Sequence, residues 1–335
     1  MIPSDFDGSL AVPAFPLTYP GALLYSAGSQ AVSREPLVSL TMEERCFGPI
    51  RFLPGDNRGR YPFCHSLFIA GAGVLIDPGS NRERLVRLRR EEEVKMVWLS
   101  HWHEDHFMHL DLFADLPFWI SDRDTPPLSD LETLLAWYGF TPEEKLFWKP
   151  LFQEQFHYRP LRPARCFVDG ETIRLDGLSV EVIATPGHTP GHLAFHFPEW
   201  SLLFAGDYDL TAFGPWYGDR TSDIDATRAS LELLQGIGAH FVVTGHETGC
   251  FADPPAELWQ KFGDVIALRE EKLWAYLCEP RALDEIVRAC IIYGRPREPK
   301  AFFCFGERVH MIKHLEHLQA RGKVTEEKGR YRRTA

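Results

Sequence analysis

Residues 101–106 read His-Trp-His-Glu-Asp-His and follow an apolar, strand-like run from Val94 to Leu99. Side chains two apart on an extended segment point the same way. His101 and His103 can therefore grip one ion together. The chain must then turn, and Asp105 and His106 can face a second ion. Imidazole and carboxylate suit zinc, iron or manganese. A polar loop with incidental histidines is the alternative, and later stretches speak against it. Thr185-Pro186-Gly187-His188-Thr189-Pro190-Gly191-His192 is a tight loop that presents His188 from the end of a strand. Ala205-Gly206-Asp207 and Thr244-Gly245-His246 end two further strands in the same way, a glycine followed by a potential ligand. Separate loops are expected to converge on one edge of a sheet sandwich.

The elements that must hold these loops are readable in outline. Gly48 to Leu53, Cys64 to Ala70 and Gly73 to Ile76 are short apolar or alternating runs split by Pro54-Gly55 and Gly71. They predict antiparallel strands of one sheet. Asp77-Pro78-Gly79-Ser80 closes the third strand with a turn, and Asn81 to Glu92 is an amphipathic helix. Strands are expected at Phe118–Ile120, Cys166–Val168, Thr172–Leu175, Leu178–Ala184, Leu193–Phe197, Ser201–Phe204 and His240–Val243, with a helix over Asp223–Ile237. Ser129 to Phe140 reads as one helix, and Thr141-Pro142 starts another. Both are aromatic-rich, so they either pack onto the body or form a lid over the metals. Residues 1–40, rich in Pro, Gly and Ser, read as an arm or edge segments.

Length and composition bound the rest. The chain has 335 residues, 44% hydrophobic and 25% charged, with nine Trp. That suffices for one large domain or two unequal ones. No apolar run approaches the roughly 20 residues of a membrane helix, and the first residues do not read as a signal peptide. Seven scattered cysteines without a C-x-x-C pair fit reduced thiols in a cytoplasm. A net charge of −11 argues against a general nucleic-acid coat.

Taken together, the sequence resembles the metallo-β-lactamase-fold superfamily over roughly residues 45–250. The matching residues run in that family's order: Asp77, His101-x-His103-x-Asp105-His106, His188, Asp207 and His246. The resemblance implies an α/β (α+β) fold, the four-layer αβ/βα sandwich, with metals at one edge. One ion would take His101, His103 and His188, the other Asp105, His106 and His246. Asp207 would bridge them, and Asp77 would orient a metal-bound His from behind. The sequence departs from the family in following His106 with Phe107-Met108-His109 rather than glycines. His109 then reads as a neighbour of the ligands or as a core or surface residue. His192 reads as shaping its loop, and His65 and His196 as ordinary histidines.

Two divalent ions, zinc first with iron or manganese as alternatives, can share a water and lower its pKa towards neutrality. The resulting hydroxide is the expected nucleophile, in hydrolysis of an ester, thioester or lactone. Asp105 is a candidate for proton transfer as well as ligation. Asp207 argues against antibiotic hydrolysis, since β-lactamases of the fold generally lack that acid. A phosphodiester substrate is the alternative. Persulfide dioxygenases of the fold use one iron on two His and the Asp, so a redox reading also stays open. Trp216 and Tyr217 either line the substrate pocket or serve packing.

Pro254-Pro255 marks a boundary between a catalytic domain, 1–255, with a helical insertion or lid at 125–160, and a smaller domain, 256–335. In the latter, helices Glu257–Leu277, from Ala282, and Arg308–Arg321 precede a terminal hairpin, resembling a winged helix. From Arg281 onward thirteen Lys and Arg oppose seven Asp and Glu. Lys313, Arg321, Lys323, Lys328 and Arg330 could contact phosphates of RNA. The other reading is a solvated face on a domain used for packing or homodimerisation. The expected partner is a small-molecule substrate, with RNA as the alternative and no membrane.

Overall fold

The structure is a computed structural model that describes residues 43–334. The expected N-terminal arm, 1–40, lies outside the described residues. The described residues belong to one compact unit. Seven strands form the first sheet in sequential order: β1 (Arg45–Phe47), β2 (Ile50–Leu53), β3 (Ser66–Ile69), β4 (Val74–Ile76), β5 (Met96–Trp98), β6 (Phe118–Ser121) and β7 (Arg165–Phe167). The first four pair antiparallel, and β4 to β7 pair in parallel.

The second sheet holds β8 (Thr172–Leu175), β9 (Leu178–Ala184), β10 (Leu193–Phe197), β11 (Leu202–Phe204), β12 (Phe241–Val243) and β13 (Cys250–Ala252). Its β11 and β12 run in parallel, joined through the helix Ile224–Ile237. Strand β9 shows why the sheets face each other. Leu178, Val180 and Val182 are buried while Ser179 and Glu181 are not, a period of two. Those residues join Phe195 and Phe204 in a core shared with Phe52, Leu67, Ile76 and Trp98 of the first sheet. The opposite face of β10 to β12, Ala194, Leu203 and Val242, packs on Leu231, Leu234, Trp259 and Phe262 of two helices.

Two expected helices differ from the structure. Residues 129–140 are not one helix. A short helix, Thr125–Ser129, precedes a separate helix Leu131–Trp137, because Asp130 is extended and its Oδ2 accepts from Thr133 N at 2.8 Å. The helix expected from Arg308 begins at Lys300, directly after Pro299. Its added turns carry Phe302 and Phe305, which meet Trp148 and Phe140. Tertiary packing there overrides the weak helix propensity of Phe and Gly. The helices Ala256–Tyr276 and Leu283–Arg288 and a small sheet of β14 (Arg281–Ala282), β15 (Val324–Glu327) and β16 (Arg330–Arg333) complete the C-terminal part. No helix among the described residues is long and apolar enough to cross a membrane.

Candidate metal centre

The site forms where strands end. β4 leads to Asp77, β5 to His101, β9 to His188, β11 to Asp207 and β12 to His246. Asp77 has φ +51, a left-handed conformation that aims its carboxylate back across the sheet edge. His103, at the N-cap of the short helix Glu104–Phe107, marks the turn after which Asp105 and His106 face a different direction. The structure brings all seven expected ligands together. His101, His103, His188 and Asp207 offer donor atoms within 4.8 Å of one another, and so do Asp105, His106 and His246.

Each imidazole is held from behind by an acceptor. His103 Nε2 meets Asp219 Oδ2 at 2.7 Å, His106 Nδ1 meets Asp77 Oδ2 at 2.8 Å, and His188 Nδ1 meets Trp216 O at 3.0 Å. His246 Nδ1 meets Gly59 O at 2.6 Å and Phe63 O at 3.0 Å. His101 Nδ1 meets Ser100 Oγ at 2.9 Å, and that hydroxyl in turn donates to Asp77 Oδ2 at 2.6 Å. An acceptor on the far nitrogen places the proton there, so each near nitrogen presents a lone pair inward. Five imidazole lone pairs and the carboxylates of Asp105 and Asp207 thus meet in a buried space.

That arrangement fits cations better than hydrogen bonds. The inner nitrogens of His101, His103 and His188 lie 2.9, 3.0 and 3.2 Å apart. Ligands about 2.0–2.1 Å from a tetrahedral ion would sit roughly 3.3 Å apart. His106 Nε2 and Asp207 Oδ1 are 2.9 Å apart, yet both are buried and neither has a hydrogen bond. Asp207 Oδ2 lies 3.2 Å from His188 Nε2 and 3.4 Å from His246 Nε2, so one carboxylate spans both groups. Asp105 Oδ2 is 3.4 Å from His246 Nε2. Without a compensating positive charge, these carboxylates and lone pairs would be costly to bury.

Several residues around the site carry no signal in the local sequence. Asp219 and Ser100 are two. Asp124 is fully buried and accepts from Thr189 Oγ1 at 2.6 Å and Gly191 N at 2.7 Å, so it anchors the loop of His188 from 65 residues away. Burial pushes its carboxyl up to about 7. Glu104 sits inside the motif itself. It is buried, accepts from Tyr61 Oη at 2.7 Å and from Tyr138 Oη, and burial with the neighbouring Asp105 charge raises it to about 8. Asp209 Oδ1 accepts from His246 N at 2.9 Å.

The other expectations resolve individually. His192 accepts from Asp207 N at 3.1 Å and pairs with Thr185 Oγ1 at 2.7 Å, which shapes the loop. His109 is buried beside Arg82 at 3.4 Å, and His65 is buried between Gly55 N and Glu247 O. His196 pairs with Glu181. Tyr217 is fully buried and its hydroxyl lies 2.9 Å from His314 Nε2, so it faces the C-terminal helices rather than a pocket. Trp216 donates its indole N–H to Asp219 at 3.2 Å, and its ring meets His310 edge-on at 4.3 Å.

The sequence profile of the metallo-beta-lactamase superfamily matches residues 61–246, the span that holds every one of these ligands. The chain belongs to the metallo-beta-lactamase superfamily. It is 33% identical over 141 residues to the hydroxyacylglutathione hydrolase GloC of Haemophilus influenzae, a match covering 40% of this chain and 59% of that protein. It is 26% identical over 190 residues to an atrochrysone carboxyl ACP thioesterase of Aspergillus fumigatus, covering 53% of this chain and 49% of that one. The chain thus spans between about half and three fifths of these relatives. A metallo-beta-lactamase family protein from Thermus thermophilus has the same fold, with a TM-score of 0.64 at 24% identity, covering 85% of this chain and 99% of that one.

Proposed function

We propose that this protein is a dinuclear metal-dependent hydrolase of an acyl bond, ester, lactone or thioester, with a thioester the favoured class. The single observation that carries the reading is the Asp207 carboxylate seated between two sets of inward-facing imidazoles. His101, His103 and His188 would hold one divalent ion and Asp105, His106 and His246 the second, with Asp207 shared. Nitrogen and carboxylate donors suit zinc, and also iron or manganese. When bound, such a pair polarises a carbonyl oxygen and lowers the pKa of a shared water towards neutrality. Asp77 and Asp219 fix ring orientation, and Asp105, almost wholly buried, is the group we assign to proton transfer. Preference for a thioester draws on the similarity to a hydroxyacylglutathione hydrolase and to ACP thioesterases.

The RNA alternative has less support. Lys313 Nζ donates to Arg220 O at 2.7 Å, Arg321 pairs with Asp225 at 2.9 Å, and Arg330 pairs with Glu285 at 2.8 Å. Three of the five candidate phosphate contacts are thus engaged within the chain. We read the C-terminal part, in its order of helices and hairpin, as winged-helix-like and used for packing. All seven cysteines are free, which supports placement in a reducing cytoplasm.

The test is a panel of thioester, lactone, phosphodiester and persulfide substrates, run on native, chelated and metal-restored protein. A thioester or lactone should turn over, stop on chelation and resume on restoration. His103→Ala should lose more than about 100-fold, beyond what disturbing a residue behind a ligand typically costs. Turnover unchanged in that variant would overturn the assignment.

A further inference from the structure

The segment after residue 246 lies outside the matched family region, yet its helices reach the metal cluster, through the ring of Tyr138 that stacks on His103 and, by hydrogen bonds, through the loop of residues 213–220. Asp219 in that loop is fully buried. One of its oxygens holds His103 Nε2 at 2.7 Å and the other accepts the Trp216 indole N–H at 3.2 Å. The carbonyl of the same Trp216 holds His188 Nδ1 at 3.0 Å. Two of the three imidazoles in one donor set are therefore oriented by residues three apart on a single loop.

That loop is tied to the catalytic body by Arg220 N, which donates to Trp137 O at 2.8 Å, and is seated on two C-terminal helices. Arg269, buried in the helix Ala256–Tyr276, donates to the carbonyls of Phe213 at 2.5 Å and Pro215 at 3.3 Å and to the Tyr217 hydroxyl at 3.1 Å. Tyr217 in turn meets His314 of the helix Lys300–Ala320, and Lys313 of that helix donates to Arg220 O. The contact is tight. A Cβ at Gly218 would lie 2.6 Å from Val309 Cγ2 and 3.2 Å from His310 Nδ1. A guanidinium with a fixed fork suits this task, since it can hold several oxygens in one geometry.

We infer that the C-terminal helices act as a positioning clamp on one half of the metal centre, with Arg269 as its anchor and Asp219 as the residue that delivers it to His103. The half built on Asp105, His106 and His246 is held instead by Asp77, Gly59 and Phe63, none of which belongs to this loop. The clamp therefore predicts unequal effects on two ions. It rests on the reading of these residues as a dinuclear site. A residue that holds a ligand from behind typically changes metal affinity 10–100-fold.

The test is titration of the full, metal-stripped chain with Zn(II) against a chromophoric chelator, followed by the Co(II) absorption spectrum. Asp219→Asn should weaken one of two sites 10–100-fold, leave the other within about twofold, and change the Co(II) bands of the affected site. Trp216→Phe keeps the ring and removes only the indole N–H, so it should weaken the same site in a chain that folds. Arg269→Met should weaken that site too, while Arg269→Lys, which keeps the charge but not the fork, should fall between it and wild type. Two sites of unchanged affinity in Asp219→Asn and Trp216→Phe would overturn the inference. So would equal weakening of both sites, which marks a general loss of structure. Wild-type protein that takes up no Zn(II) would instead refute the dinuclear reading itself.

Discussion

His65 shows how a histidine close to the cluster differs from one in it. Both its nitrogens are occupied by backbone, Gly55 N donating to Nδ1 at 2.9 Å and Nε2 facing Glu247 O at 3.3 Å. Burial, together with nearby His246, lowers its pKa to about 3. A folded pKa below the unfolded one means that stability is fully present above about pH 6.5 and is lost as pH falls towards 3. From pH 6.5 to 4.5 this one residue should cost about 2 kcal/mol. Urea unfolding of wild type and His65→Gln over that range should show a pH slope smaller by about one proton in the variant. Parallel slopes would contradict a neutral, buried His65. At this scale the ligands were legible because chemistry forces them into short motifs at strand ends. Asp219 and Asp124 were not, because a carboxylate that acts across 116 or 65 residues leaves no trace in local spacing.

The loop of residues 185–192 illustrates the next level. Its prolines and glycines announced a tight turn, and the structure adds the reason for one glycine. Gly187 has φ +128, and a Cβ there would lie 2.2 Å from Thr227 N, in the first turn of the helix Ile224–Ile237. Asp223, the N-cap of that helix, donates its N–H to Gly187 O at 2.9 Å, so loop and helix are locked together. Gly187→Ala combines a disfavoured conformation with a backbone clash and should cost about 2–4 kcal/mol. It should also displace His188 and reduce metal uptake. A urea midpoint and metal content equal to wild type would count against this account of the loop. Strand positions followed from alternation and from turn residues, which is why most were readable. The start of the helix Lys300–Ala320 was not. Its Phe-rich first turns are helical because Trp148 and Phe140 cover them, and that contact is known only once the chain has folded.

Across the whole molecule, two sheets face each other over one core, and the edge where β4, β5, β9, β11 and β12 end gathers the polar chemistry. The sheets bring together residues as distant as Asp77 and His246, and the C-terminal helices close one side through the loop 213–220. The order of motifs made the family and the cluster of seven side chains legible from the sequence. The way the C-terminal part grips that set was hidden, because it depends on Arg269 and Tyr217, which meet only in three dimensions. The central claim is that seven side chains from four stretches of backbone surround two cations that share Asp207. The most direct measurement is an anomalous difference map from crystals of zinc-loaded protein. Two peaks about 3.5–4 Å apart are expected, one against His101, His103 and His188, the other against Asp105, His106 and His246, with Asp207 touching both. A map without a peak among these residues, or with one peak that leaves either set of three bare at full occupancy, would contradict it.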